Sequence, residues 1–240
     1  MGDEDMIGAM GTFDGVDGRN DPYFAEFAQA RDLLLGPDWR DGLDALEALA
    51  HRGSLNSMLL VAGCMMKGWG YEQALPLAVA WYQAAVESGS TRGLHGLGLA
   101  HSRMEQYGEA IEALQAAVAR SYPPAYDALA YMYAYGHGVP VDRKRALRLW
   151  REGYSLGHLM SKRGVILALA RGYAGFRGRI EGWLNILPLA VEIMRARREP
   201  PLMGSGDFLR TTAPGALRPG QLVGCEGLLR SPAIGRHDGP

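Results

Sequence analysis

Cysteine and net charge are both scarce in this chain of 240 residues. The two cysteines, Cys64 and Cys225, lie far apart and outside any CxxC or Cys/His cluster, which argues against a disulfide framework and a structural zinc site. The chain has 25 basic and 26 acidic side chains, so its net charge is close to zero. The molecule as a whole would therefore not attract nucleic acid or an anionic membrane electrostatically. We therefore expect reduced thiols, no metal, no cofactor and no nucleic-acid partner.

Long apolar segments and export signals are also missing. No stretch approaches the roughly 18 consecutive apolar residues of a membrane helix. The first residues, MGDEDMIGAMG, are acidic where a secretory signal would be basic. These features predict a cytoplasmic protein without membrane insertion. Hydrophobic residues nevertheless make up 48% of the chain, which is enough to form a buried core.

What the chain does contain is an internal repeat. Small residues that end an apolar segment recur at Gly53, Gly89, Ser121 and Gly157, so the spacings are 36, 32 and 36 residues by subtraction. Before each of these markers, a small residue stands eleven positions back and a large apolar residue seven positions back. The small residues are Gly42, Ala78, Ala110 and Ala146, and the large ones are Leu46, Tyr82, Leu114 and Trp150. Small and large residues about one helical turn apart allow the side chains of two packed helices to interdigitate. The pattern therefore predicts that each unit consists of a helix, a turn and a second helix.

The glycine-rich corner GHGVPVD, residues 136–142, raises two alternatives. Alone, it could suggest a loop that binds phosphate, and the basic run DRKRALR after it could suggest a helix that binds nucleic acid. The repeat favours a turn, because the longer units carry their extra residues at this point. Glycine supplies the positive φ that ends the first helix, and Asp142 can cap the second.

Five such helix pairs are predicted between residues 21 and 199. The first pair is YFAEFAQARDLLLG with WRDGLDALEALAHRG, and the last is KRGVILALARG with PLAVEIMRARR, in which Pro188 suits the first turn. Residues 1–20 are acidic and glycine-rich, and residues 200–240 are rich in Gly, Pro and Arg with little periodicity. We expect an all-α domain between two flexible tails.

Residues 129–158, LAYMYAYGHGVPVDRKRALRLWREGYSLGH, resemble a Sel1-like repeat, a relative of the tetratricopeptide repeat with a longer turn. The segment AVAWYQAAVESGS, residues 78–90, looks like the second half of the same motif. The resemblance covers residues 40–175 and the outer pairs loosely. It implies a right-handed α-solenoid of about five repeats whose first helices line a concave surface. It also implies a bacterial adaptor or scaffold that binds other proteins, with no chemistry of its own.

Ten side chains on the predicted first helices face away from their partner helices and form a candidate groove. They are Asn56, Lys67, Arg92, His95, Arg103, Asp127, Tyr131, Tyr135, Arg163 and Arg171. Five cations against one carboxylate favour an acidic peptide or a terminal carboxylate as the ligand, since guanidinium groups bind carboxylates through two hydrogen bonds. The alternative is a solvated polar face without a ligand. The acidic N-terminal residues could occupy the groove in cis, or they could only improve solubility.

Catalytic patterns are weak. The six histidines form no HExxH motif, and His101 stands where packing residues stand in a neighbouring unit. GLHGLGLA lacks the preceding strand of a dinucleotide-binding loop, so its glycines indicate close helix packing. The alternative function is a β-lactamase-like hydrolase, because a cysteine-rich subset of Sel1-like proteins is associated with that activity. The cysteines that staple each helix pair in that subset are absent here, and no nucleophile and base are paired, so we expect no enzyme.

Overall fold

The structure is a computed structural model that describes residues 21–196, except for the side chains of residue 35 and residues 192–196. Within that range every regular element is an α-helix, and there are eleven of them. They are α1 (Phe24–Leu35), α2 (Trp39–His51), α3 (Leu55–Lys67), α4 (Leu75–Glu87), α5 (Thr91–Arg103), α6 (Tyr107–Ala119), α7 (Pro123–Tyr135), α8 (Arg143–Ser155), α9 (Leu159–Ala170), α10 (Gly175–Leu184) and α11 (Ile186–Ala196). Both predicted tails, residues 1–20 and 200–240, lie outside the described residues.

The helices pack as consecutive pairs, α1 with α2 through α9 with α10. The first helices of successive pairs, α1, α3, α5, α7 and α9, also pack on one another. The second helices of successive pairs make no comparable contact with each other within the described chain. Because the first helices lie closer to one another than the second helices do, the stack curves with its first helices on the inside. This arrangement is an α-solenoid, as predicted.

The small and large residues of the repeat lie where their spacing predicted. Ala78, Ala110 and Ala146 are fully buried. A Cβ added at Gly96 would overlap the ring of Tyr82, and one at Gly164 would overlap the ring of Trp150. The large ring of one helix therefore lies against a glycine of the next helix, which confirms the interdigitation inferred from the sequence. The GLHGLGLA glycines also have this packing role.

The turns follow the predicted rules. All four repeat markers have positive φ, at 100° for Gly53, 90° for Gly89, 57° for Ser121 and 85° for Gly157. In the GHGVPVD corner, Gly136 ends α7 in the left-handed region. The carboxylate of Asp142 accepts a hydrogen bond of 2.8 Å from the backbone N–H of Arg145 and caps α8. The interpretation of this corner as a turn is therefore confirmed.

The last predicted pair was wrong in one respect. The sequence prediction pairs the helix PLAVEIMRARR with α9, but α10 lies between them in the chain, and α9 packs most closely on α10. The following helix, α11, begins at Ile186 and contacts both α9 and α10, with Pro188 in its first turn as expected. The described chain therefore holds five pairs and an additional helix in the position of a sixth first helix.

Replacing Ser121 with glycine is expected to raise the free energy of unfolding by about 0.5 to 1 kcal/mol. Ser121 is one of two non-glycine residues with positive φ in the described chain, and three equivalent positions hold glycine. Urea unfolding followed by circular dichroism would measure the gain. The matched control is Gly89→Ala, which has no atom within 4 Å of the added Cβ but places alanine at φ 90°. This control should lose stability, and a loss in Ser121→Gly would contradict the proposed backbone strain.

Candidate functional site

The ten predicted groove residues all belong to the inner layer, on or directly after α3, α5, α7 and α9. They fall into two groups at opposite ends of these helices. The N-terminal group is Asn56, Arg92, His95, Asp127 and Arg163, and the C-terminal group is Lys67, Arg103, Tyr131, Tyr135 and Arg171. Since eight residues of helix span roughly 12 Å, the two groups form separate parts of one surface.

The C-terminal group has a regular register. Lys67, Arg103 and Tyr135 are the last residues of their helices, and Arg171 directly follows α9. Two of these side chains reach the preceding first helix. Arg103 donates a hydrogen bond of 2.9 Å to the carbonyl of Met66, and Arg171 donates one of 3.1 Å to the hydroxyl of Tyr135. The register therefore produces a row of polar side chains that crosses the helices from repeat to repeat.

Aromatic rings lie beside this row. Tyr131 and Tyr135 are 50% and 45% exposed, and their ring centroids are 4.2 Å apart. The sequence interpretation missed His137, which stacks on Tyr131 at 5.9 Å, and Tyr107, which lies 5.4 Å from His137. These four residues are named the aromatic cluster. In the sequence, His137 lies close to Tyr131 and Tyr135, which was the available signal for an aromatic cluster. The interpretation of the GHGV corner as a turn did not consider its histidine as part of a surface.

Asp127 is a half-buried carboxylate in the N-terminal group. Asp127 accepts a hydrogen bond of 2.9 Å from the indole N–H of Trp150. Burial raises the pKa of Asp127. His158, the hydrogen bond from Trp150 and Arg163 each lower it, but burial has the larger effect. His158, which the sequence interpretation also missed, caps α9 by accepting a hydrogen bond of 3.2 Å from the backbone N–H of Ser161. Asp127 thus has partners from two adjoining helices and is not a solvated carboxylate.

His95 lies in the same group and packs on Tyr122, with ring centroids 5.5 Å apart. Burial, with smaller contributions from the neighbouring His158 and Arg92, lowers the pKa of His95 to about 4. His95 is therefore neutral at pH 7 and adds no charge to the groove. The positive charge at this end comes from the arginines Arg92 and Arg163.

The other residues that could take part in catalysis or metal binding lie in environments that do not favour either role. His101 is half-buried and forms a hydrogen bond of 2.8 Å with the side chain of Gln106. Burial raises the pKa of the Cys64 thiol to about 12, so this cysteine is not an activated nucleophile. Cys225 lies outside the described residues. Between residues 21 and 196, no three His, Cys, Asp or Glu side chains are grouped to hold a metal ion. No helix in that range is long and apolar enough to cross a membrane.

Comparison with known families identifies the repeat. The Sel1 repeat family model matches residues 55–90 and 123–158, which correspond to α3 with α4 and α7 with α8. These two segments are Sel1 repeats. The unit between them, α5 with α6, is the shorter 32-residue unit without the glycine corner, and it lies outside the two matched segments. No curated protein matches the chain closely enough to indicate a relative.

Solved structures of Sel1-repeat proteins have the same fold as the described part of this chain. One is a Sel1 repeat protein from Oxalobacter formigenes, with 16% identity, a TM-score of 0.59, and coverage of 78% of this chain and 86% of that one. Another is a protective antigen of uropathogenic Escherichia coli strains that displays an SLR fold, with 20% identity, a TM-score of 0.57 and coverage of 70% of this chain. This chain spans 38% of the length of the E. coli protein. At these identities the likeness establishes the solenoid fold.

Proposed function

We propose that this chain is a protein-interaction scaffold whose inner surface binds an extended acidic peptide segment of a partner protein. The observation that carries the proposal is the C-terminal row, with Lys67, Arg103, Tyr135 and Arg171 at one register on four consecutive first helices. The exposed rings of Tyr131 and Tyr135 in the aromatic cluster can cover the apolar parts of a bound peptide.

The spacing of the row favours an extended ligand. Helices in contact lie about 8 to 10 Å apart, and an extended chain advances about 3.3 Å per residue. A peptide that runs across the first helices therefore brings every third residue to the next position of the row. Arginine can bind a carboxylate there through two hydrogen bonds, and the tyrosine hydroxyl can donate one. A partner segment with Asp or Glu at every third position would suit the surface.

A purely structural role is the competing explanation. Cations near the C-terminal end of a helix also interact favourably with the helix dipole, and Arg103 already binds a carbonyl of the last turn of α3. If the row only stabilises these helix ends, its substitution would reduce the free energy of unfolding and leave no peptide affinity to lose. The two roles therefore predict different measurements.

Reversing the three cations of the row should weaken peptide binding at least tenfold. We expect a fluorescent twelve-residue peptide with Glu at every third position to bind the wild-type chain, and the same peptide with Gln in place of Glu to bind at least tenfold more weakly. The triple variant Lys67→Glu, Arg103→Glu, Arg171→Glu should bind the Glu peptide at least tenfold more weakly than the wild type, because each reversal replaces attraction by repulsion. Fluorescence anisotropy would measure both affinities.

A matched control separates local from overall charge. The variant Arg40→Glu, Arg148→Glu, Arg151→Glu changes the net charge equally but alters exposed residues on the second helices α2 and α8. It should keep the affinity for the Glu peptide. Equal losses in the two variants would show a general charge effect, and an unchanged affinity in the first variant would remove the inner surface from the binding site. Circular dichroism and urea unfolding of each variant would detect loss of folding.

A further inference from the structure

The second helix of the fifth pair, α10, is apolar on its outside. Phe176, Ile180, Trp183 and Leu184 are 76%, 49%, 66% and 72% exposed. These four residues are named the α10 stripe, and Leu187 at the start of α11 extends it with 73% exposure. The last repeat of a solenoid normally needs a polar outer face to remain soluble, and clustered exposed apolar side chains indicate an interaction surface.

The inner side of α10 explains why its large residues face outward. Gly178 and Gly182 are buried, and a Cβ at Gly182 would overlap the backbone N of Ala170 in α9. At 3.6 residues per turn, the side of the helix that carries Ile180 lies roughly opposite these two glycines. The close approach to α9 leaves no room for large side chains on the inside. The stripe is therefore fixed on the outer surface by the packing of the helix.

Two charged residues on one flank of the stripe can match a second copy of the same helix. Arg177 and Glu181 are both exposed, and since they are four residues apart they lie on one flank of the stripe. In two antiparallel copies related by a twofold axis, each flank meets its own equivalent in the partner. Arg177 then faces the partner's Glu181, and Phe176 faces the partner's Trp183. The sequence midpoint of Arg177 and Glu181 and that of Phe176 and Trp183 both fall at about residue 179 to 180. A single twofold axis near this residue therefore produces the charged and the apolar contacts together.

We propose that the α10 stripe is a homodimer interface, in which two copies of this chain pack α10 against α10 in antiparallel orientation. Ile180 lies next to the twofold axis and contacts the partner's Ile180. The interface uses the outer face of a second helix, whereas the proposed peptide surface lies on the first helices. Dimerisation therefore leaves both peptide surfaces open and doubles the number of sites for a partner with repeated acidic segments.

The mass of the full chain in solution tests this interface. In size-exclusion chromatography with light scattering, the wild type should have twice its chain mass of 26.0 kDa. Ile180→Arg should return the mass to that of one chain, because two arginines would face each other at the axis. The control Val141→Arg alters another exposed apolar side chain, on the loop before α8, and should remain dimeric. Circular dichroism would show that both variants retain their helices.

Charge reversal tests the antiparallel register independently. Arg177→Glu and Glu181→Arg should each weaken dimerisation at least tenfold, since each places like charges across the axis, and the double variant should restore it. Failure of the double variant to recover would overturn the register. A wild type that remains monomeric across the concentration range would overturn the homodimer. If removal of residues 197–240 converts a monomer into a dimer, that segment is the occupant of the stripe in the full chain, which also overturns the proposal.

Discussion

Replacing Gly42 with alanine is expected to lower the free energy of unfolding by about 2 to 3 kcal/mol. Gly42 is buried in α2 at a contact with α1. An added Cβ would overlap the backbone N of Leu34 and lie 2.8 Å from the carbonyl oxygen of Ala30. Because both contacts are backbone atoms of a helix, no side chain can rotate away, and α1 must shift as a unit. This cost exceeds the roughly 1 kcal/mol that alanine gains over glycine in helix propensity.

The control for this substitution is Gly108→Ala. Gly108 lies in the first turn of α6 and has no atom within 4 Å of an added Cβ, so alanine meets no obstacle. Here the helix propensity should dominate and raise the free energy of unfolding by about 0.5 kcal/mol. Urea unfolding followed by circular dichroism at a helix wavelength would measure both variants. If Gly42→Ala were as stable as Gly108→Ala, the close approach of α1 and α2 would not be a source of stability.

Acid should destabilise this protein through His95. Burial lowers the pKa of His95 to about 4 in the folded protein, below the ordinary value of 6.5. Between these two pH values the unfolded chain binds a proton that the folded protein does not, so stability is present above pH 6.5 and is lost as the pH falls towards 4. From pH 7 to pH 5, the wild type should lose about 2 kcal/mol more than His95→Gln. Urea unfolding at both pH values would measure the difference.

The comparison isolates His95 because the other acid-sensitive groups are shared. Burial also lowers the pKa of His158, but this residue is present in both proteins. The variant Arg92→Gln gives a second test, since Arg92 lowers the pKa of His95 by charge repulsion. It should lose less stability than the wild type between pH 7 and pH 5. An equal loss in the wild type and His95→Gln would show that His95 is not kept neutral by the fold.

Part of the fold could be read directly from the spacing of residues. The markers at Gly53, Gly89 and Gly157 specify where helices end, because glycine is the residue that most readily adopts positive φ. Helix α10 could not be found this way. Its segment, GFRGRIEGWL, carries glycines on the inside and large apolar residues on the outside, which is the reverse of the usual pattern for a packed helix.

The candidate surface was only partly accessible from the sequence. The register of Arg103, Tyr135 and Arg171 follows from the repeat period, so these residues could be chosen without coordinates. Their contacts could not, because the hydrogen bond from Arg171 to Tyr135 joins residues 36 positions apart. His137 and His158 were missed for a related reason, since turn residues enter a surface only when the neighbouring helices bring them together.

The sequence by itself determined the repeat, its helix pairs, its turns and the polar residues of the first helices. These features follow from residue types that recur at the spacing of one helical turn or of one whole repeat. The tertiary structure decided which layer is crowded, which histidine is neutral and which apolar residues stay exposed. Those properties depend on the distance between helices that are far apart in the chain. Gly182 is the clearest case, since only its approach to Ala170 shows why Trp183 must face outward.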